Sequence, residues 1–256
     1  MRPPEFISST ANPLLKEVRK AVHRGGLTDS GWCVAETLHL LEEALRSGCR
    51  VPAVIVAENV RSAVEMCVDY HQNIRVVVVP DKLLDVSSQG VVALVEPPAV
   101  KQMLGQQPLM LILDGVQDPG NLGTILRSAE AFGATELLLL KGTVNAFNSK
   151  VVRSSAGSIF RTPFLQSLDE ARVLAEVRLK GATLYAAMPK GAHSPAAVDL
   201  RRPSAIVIGS EGRGVSASLL GAAAKLTIPT MGVESLNAAV SAAVLLYEAR
   251  RQRTPA

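Results

Sequence analysis

With 256 residues, 48% of them hydrophobic, the chain carries enough apolar material for a packed core, which argues against a disordered protein, and its length allows two modest domains or one large one. A formal net charge of +4 and a pI near 9.1 permit a polyanionic partner without requiring one. Cys33, Cys49 and Cys67 are odd in number and widely spaced, against a disulfide framework, and the lack of an apolar leader or of an uncharged run near ~18 residues predicts a soluble, cytoplasmic protein with no membrane span.

In chain order, Ser8–Asn12 leads into a helix predicted from Pro13 to His23, with proline suited to its first turn. Leu14, Leu15, Val18, Ala21 and Val22 share one face, and Lys16, Arg19, Lys20, His23 and Arg24 lie largely on the other. Such a basic face is either solvated surface or a phosphate-contacting one. Strands are predicted at Trp32–Ala35, Val54–Val56, Arg75–Val79 and Val91–Val95, and helices at Glu36–Ser47 and Arg61–His71. Residues 24–96 therefore read as one α/β unit, preceded by the basic helix of residues 1–23. The unit holds no constellation of acid, base and nucleophile. Cys67 and His71 stand four apart, but no C-x-x-C completes a metal site, so no metal is expected. Pro97 to Pro108 breaks both periodicities and reads as the linker, 97–108, to a second domain, 109–256.

That domain opens with a buried strand, Leu109–Leu113, ending at Asp114-Gly115. The loop Val116–Asn121 feeds a helix, Leu122–Phe132, with Gly133 as its cap, and Glu136–Leu140 is the next strand. On pattern alone Asn121 is an N-cap and Arg127 a surface charge. Asn148–Ser154 reads as helical, with Lys150, Arg153 and Arg161 adding positive charge around a serine-rich turn. Ser167-Leu-Asp-Glu170 is a capping-box pattern for a helix to Lys180, and Thr183–Met188 is a strand followed by the loop Met188–Gly191. This alternation predicts a parallel sheet covered on both faces.

Ala205–Ile208 is a further buried strand, ending at Gly209 in a loop with Gly212 and Gly214 around Glu211 and Arg213. Leu226–Ile228 reads as a short strand stopped by Pro229, and Ser235 as the N-cap of a helix over Leu236–Arg250. Two strand ends and a helix start thus meet, which is how open α/β sheets build ligand crevices. The glycine spacing is neither G-x-G-x-x-G nor G-x-x-x-x-G-K-[ST], against a dinucleotide site or a P-loop; alone, it equally fits an ordinary tight loop. Leu236–Tyr247 carries no charge and is nearly all Ala, Val and Leu, which predicts burial almost all round, in a monomer as a central helix.

Taken together, GSEGRG, IPT and ESLNAAV, within residues 209–240, resemble motifs 2 and 3 of the SpoU/TrmH branch of the SPOUT RNA methyltransferases, and DPGNLGTILRSAEAFG, 118–133, resembles motif 1 along its whole length. ISSTANPLLKEVRKA is similar to the opening of SpoU-family rRNA enzymes, and AETLHLLEEALRSG with SSQGVVALVEPP to their substrate-binding domain. Thr37 departs from the pattern, standing where the family usually has glycine.

The resemblance implies an α/β fold: a Rossmann-like parallel sheet with a C-terminal trefoil knot, preceded by a small α/β RNA substrate-binding domain. It implies S-adenosyl-L-methionine held mainly by backbone groups, at Leu184, Ala186, Ala187, Met188, Gly209, Glu211, Gly212, Ile228, Met231 and Leu236. It assigns Arg127 as the base that activates a ribose 2′-hydroxyl, with Asn121, Glu211, Ser235 and Asn237 orienting it or completing the pocket. Lowering a guanidinium pKa from above 12 to near 7 costs at least ~7 kcal/mol. A charged Arg127 that grips phosphate and stabilises the developing alkoxide needs no such shift, and its protonation state stays open. RNA contacts fall on Lys16, Arg19, Lys20, Arg24, Arg127, Lys150 and Arg153. The implied assembly is a homodimer in which motif 1 of one subunit completes the other's site, with the last helix at the interface. The implied substrate is ribosomal RNA, foremost 23S rRNA; a tRNA ribose methyltransferase and a non-catalytic RNA-binding protein are the competing readings.

Overall fold

A computed structural model describes residues 3–71, 73–84, 88–98, 107–191 and 193–254. The first half of the chain forms β1 (Glu5–Phe6), α1 (Pro13–Arg24), β2 (Cys33–Glu36), α2 (Leu38–Arg46), β3 (Ala53–Ala57), α3 (Arg61–Val68), β4 (Arg75–Val79) and β5 (Val91–Val95). The second half forms β6 (Leu109–Asp114), α4 (Pro119–Phe132), β7 (Glu136–Leu140), α5 (Ser149–Ser154), β8 (Phe164–Leu168), α6 (Glu170–Leu179), β9 (Thr183–Ala187), β10 (Ser204–Gly209), α7 (Ala217–Ala222), β11 (Ala224–Leu226) and α8 (Ala238–Arg253). Two compact units result. One is Met1–Ala99 with Asn145–Arg161, the other Val100–Val144 with Thr162–Ala256. Most of the segment read as a linker lies outside the described residues.

The first unit is a five-stranded sheet ordered β1-β4-β3-β5-β2, in which β5 runs antiparallel to both neighbours. Helix α1 starts where Asn12 Oδ1 accepts the Leu14 N–H at 2.9 Å and ends at Gly25 with φ +69°. Leu15, Val18 and Ala21 bury against Ile55, Val77 and Leu94, so α1 belongs to this core and is not a separate basic segment. Helix α2 starts at Leu38, not Glu36, because Glu36 is still paired in β2 with Val92. Between them Thr37 sits at φ +105°. A β-branched residue is strained there and glycine is not, which gives the family's glycine its physical reason.

Helix α5 packs on β2 within this unit, although its sequence lies between strands of the other sheet. Arg153 pairs with Glu36, whose side chain is only 5% exposed, at 2.7 Å. Arg161 and Arg46 both hold the buried carboxylate of Glu43, at 2.7 and 2.6 Å. Segment 145–161 therefore goes with the first unit, whereas the sequence reading placed it inside 109–256.

The second unit is an all-parallel sheet ordered β11-β9-β10-β6-β7-β8. Its central strands are near-continuous apolar runs, as burial on both faces requires. Strand β8 has no counterpart in the sequence reading and absorbs Ser167, so Asp169 caps α6 instead, its Oδ1 accepting the Arg172 N–H at 2.8 Å. Strand β11 is Ala224–Leu226, two residues before the predicted span, because its partner β9 ends at Ala187. The cap of α8 is Asn237, not Ser235; its Oδ1 accepts the N–H groups of Ala239 and Val240 at 2.8 and 3.3 Å. Helix α8 lies against α4 and β10 and buries Ala238, Ala239, Ala242, Leu245, Leu246 and Ala249. Within one chain it is not buried all round: Val240 is 48% and Tyr247 56% exposed. Chain order takes β11 to the sheet edge beyond β9, yet α8 returns to β10. The knot itself is what the family implies for that path.

Candidate active site

Because every strand of the second sheet runs the same way, the ends of β9, β10 and β11 fall on one edge, where open α/β sheets take ligands. A cavity of about 350 Å³ lies there, walled by the loops after these strands and by the approach to α8. That is within the size range of small-molecule sites. Of the expected cofactor residues, Ala187, Met188, Gly209, Glu211, Gly212, Ile228 and Leu236 line it, as does Ser235. Leu184 and Ala186 do not; both are buried in the core of the sheet. Met231 does not either, being 97% exposed.

The loop after β10 closes on itself. Ser210 and Gly214 exchange backbone hydrogen bonds at 3.2 and 2.9 Å, and Ser210 Oγ accepts the Arg213 N–H at 3.2 Å. This brings the Gly214 carbonyl carbon to 2.3 Å from where a Cβ on Gly209 would stand. The first glycine of GSEGRG is therefore fixed by close backbone approach. Gly212, at the tip, meets nothing within 4 Å.

The three motifs meet in one hydrogen-bonded row. Asn121 Nδ2 donates to Glu211 Oε1 at 2.6 Å, and Asn237 Nδ2 donates to Asn121 Oδ1 at 3.0 Å. Since Asn237 Oδ1 is already bound to the start of α8, the row fixes the orientation of both amides. Asn121 is consequently not the N-cap of α4. Asp118 is, its Oδ1 accepting the Asn121 N–H at 2.8 Å. All members of the row belong to one chain, so motif 1 meets motifs 2 and 3 without a partner. Arg127 stands apart, six residues further along α4, or about 9 Å along its axis. It is exposed and makes no hydrogen bond or ion pair among the described residues.

The expected RNA contacts divide in two. Arg19 donates to the carbonyls of Thr10 and Leu83 at 2.9 and 3.3 Å, Lys20 and Arg24 both pair with Asp29, and Arg153 holds Glu36. These cations are partly engaged in the fold. Lys16 and Lys150 have no side-chain partner among the described residues. The sequence reading missed Ser210, Thr230 and Glu234, which also line the cavity. All three sit inside the motifs, in GSEGRG, IPT and ESLNAAV respectively, and backbone contacts alone give their side chains no part.

The cavity suits a nucleoside with a charged tail. Ile208, Leu226, Ile228 and Leu236 supply an apolar wall, and Ser210, Glu211, Thr230 and Glu234 polar groups. The backbone N–H groups of Ile228 and Leu236 carry no hydrogen bond among the described residues, which leaves them for a ligand. Among the described residues no cluster of three or more His, Cys, Asp or Glu could hold a metal, and no helix is long and apolar enough to cross a membrane.

A family model described as the SpoU rRNA Methylase family matches residues 108–247. An uncharacterized tRNA/rRNA methyltransferase of Synechocystis is 35% identical over 96% of this chain and 94% of its own. The 23S rRNA (guanosine(2553)-2′-O)-methyltransferase RlmP of Bacillus subtilis is 31% identical over 95% of this chain and 98% of its own. The SpoU methyltransferase AviRb of Streptomyces viridochromogenes, solved in complex with the cofactor AdoMet, superposes with a TM-score of 0.81 at 25% identity, covering 94% of this chain and 99% of that one.

Proposed function

The chain belongs to the SpoU rRNA methylase family, and from that membership we propose that its row Asn121–Glu211–Asn237 and Arg127 methylate a ribose 2′-hydroxyl of 23S rRNA. The protein is an S-adenosylmethionine-dependent RNA 2′-O-methyltransferase. What supports the assignment of the site is the intact hydrogen-bonded row beside a cavity of cofactor size.

In the cavity S-adenosylmethionine supplies an electrophilic methyl group for the ribose 2′-oxygen. The apolar wall of Ile208, Leu226, Ile228 and Leu236 would exclude water, and the backbone N–H groups of Ile228 and Leu236, unbonded among the described residues, would hold the cofactor. One hydrogen of Asn121 Nδ2 is taken by Glu211, which leaves the other to orient the 2′-oxygen. Arg127, which makes no hydrogen bond or ion pair among the described residues, grips the target phosphate and stabilises the oxygen as its proton passes to solvent. The assembly is a homodimer, for which the exposed apolar residues Val240, Val244 and Tyr247 of α8 are the support.

The test is methyl transfer from labelled S-adenosylmethionine to unmodified 23S rRNA and, in parallel, to unmodified tRNA. Label in 23S rRNA alone is the expected result. Label in tRNA alone overturns the substrate assignment, and label in neither overturns the assignment of activity.

A further inference from the structure

A second cavity, of about 630 Å³, opens over the ends of β6, β7 and β8, and it shares Arg213 and Gly214 with the cofactor cavity. Its charged lining is Asp114, Lys141, Asp169, Glu170 and Arg213. The three carboxylates already serve the fold. Asp114 accepts the Ser216 N–H at 2.7 Å, Asp169 caps α6, and Glu170 accepts the Ser218 hydroxyl. The two cations do not. Lys141 and Arg213 are exposed, and neither side chain makes a hydrogen bond or ion pair among the described residues.

The backbone makes room for the guanidinium. Arg213 Nη2 lies 2.9 Å from where a Cβ on Gly115 would stand and 3.9 Å from the same point on Gly142. Both glycines have left-handed φ values, +80° and +91°. Gly142 directly follows Lys141, and both cations line the cavity where β6 and β7 end. A planar fork and an ammonium lining one cavity, neither paired with a carboxylate among the described residues, fit a phosphate oxyanion.

We infer that this cavity seats the other phosphodiester flanking the target ribose, the one Arg127 does not grip, held by Arg213 and Lys141. The inference rests on the reading of the chain as an RNA methyltransferase. Arg213 also borders the cofactor cavity, so gripping the strand there fixes the target ribose relative to the methyl donor. Both are positioning residues, distinct from the catalytic row.

The experiment uses the full chain, Lys141→Ala, Arg213→Ala and the double variant. The RNA is an oligonucleotide spanning the mapped target, with one neutral methylphosphonate linkage walked through the flanking positions. For the wild type, one linkage beside the target should lower kcat/KM roughly tenfold or more, the loss of one charge-assisted contact. The double variant should start from a comparable loss and show no further drop at that linkage. Cofactor affinity of Lys141→Ala, by calorimetry, should be unchanged. Equal sensitivity of wild type and double variant at every linkage overturns the inference, as does a Lys141→Ala defect that tracks cofactor affinity. Should the wild type methylate no RNA, the functional reading fails on its own. Binding to unmodified 23S rRNA then decides: Lys141→Ala must flatten the salt dependence by about one unit, and an unchanged slope overturns the inference.

Discussion

Replacing Gly209 by alanine tests the construction of the cofactor cavity at its tightest point. The new Cβ would stand 2.3 Å from the Gly214 carbonyl carbon and 2.5 Å from both the Gly214 oxygen and the Val215 nitrogen. All three are backbone atoms, so no side chain can swing aside. Ordinary contact begins near 3.4 Å, and the loop must therefore retreat by about 1 Å. Overpacking of that kind costs about 1–3 kcal/mol. The alternative, opening the two Ser210–Gly214 hydrogen bonds, costs a similar amount at about 0.5–1.5 kcal/mol each. At about 2–4 °C per kcal/mol, the Tm should fall by several degrees. Because Gly209, Ser210 and Gly214 all wall the cavity, S-adenosylmethionine affinity should fall at least tenfold. Gly212→Ala lies in the same loop but meets nothing within the protein, so it should leave the Tm nearly unchanged. Calorimetry and thermal melts on the two variants read the difference. If Gly209→Ala binds within twofold of wild type and melts at the same temperature, or if Gly212→Ala lowers the Tm equally, the reasoning is wrong.

Thr37→Gly should stabilise the first unit, since it removes about 1–3 kcal/mol of backbone strain and forfeits little more than a weak cap bond; a lower Tm than wild type would contradict this. Burial raises the Glu43 carboxyl, but its bonds to Arg161 and Arg46 outweigh that and leave its pKa below the usual carboxylate value. The folded pKa being the lower one, this stabilisation is present above the unfolded value of about 4.3 and is lost as pH falls through the folded value. Glu43→Gln should therefore flatten the acid side of the Tm–pH profile, and parallel profiles would rule that origin out. Arg127→Ala should lower kcat by about 100-fold or more while cofactor affinity stays within twofold, and Arg127→Lys should remain impaired because it loses the planar fork. Near-normal turnover in either variant would remove Arg127 from the chemistry.

Legibility in the sequence followed burial. The spans Arg75–Val79, Val91–Val95 and Glu136–Leu140 coincide with β4, β5 and β7, because fully buried strands leave unbroken apolar runs. Strand β8 escaped because it is a half-exposed edge strand whose register shifts, with Ser167 at φ +62° and polar residues where a run is expected. Ser235 and Asn237 are both good N-cap residues two apart, and propensity does not separate them; the bond from Asn237 to Asn121, 116 residues away in sequence, marks which one faces the row. The same limit hid the packing of segment 145–161, which rests on pairs such as Arg153–Glu36. Charge counting also does not reveal internal partners, such as the two carbonyls bound by Arg19 or the buried carboxylate held by Arg153. The row Asn121–Glu211–Asn237 was legible only as three separate motifs, whose meeting is a property of the parallel sheet.

The central claim is that the methyl group goes to a ribose oxygen presented by that row. Nucleoside mass spectrometry of RNA methylated by the purified protein tests it most directly, by locating the added 14 mass units in the sugar or base fragment. The account predicts a single nucleoside carrying the methyl group on its ribose, absent when Asn121→Ala replaces the wild type. Methyl groups on the base, or an undiminished ribose product from Asn121→Ala, would contradict it.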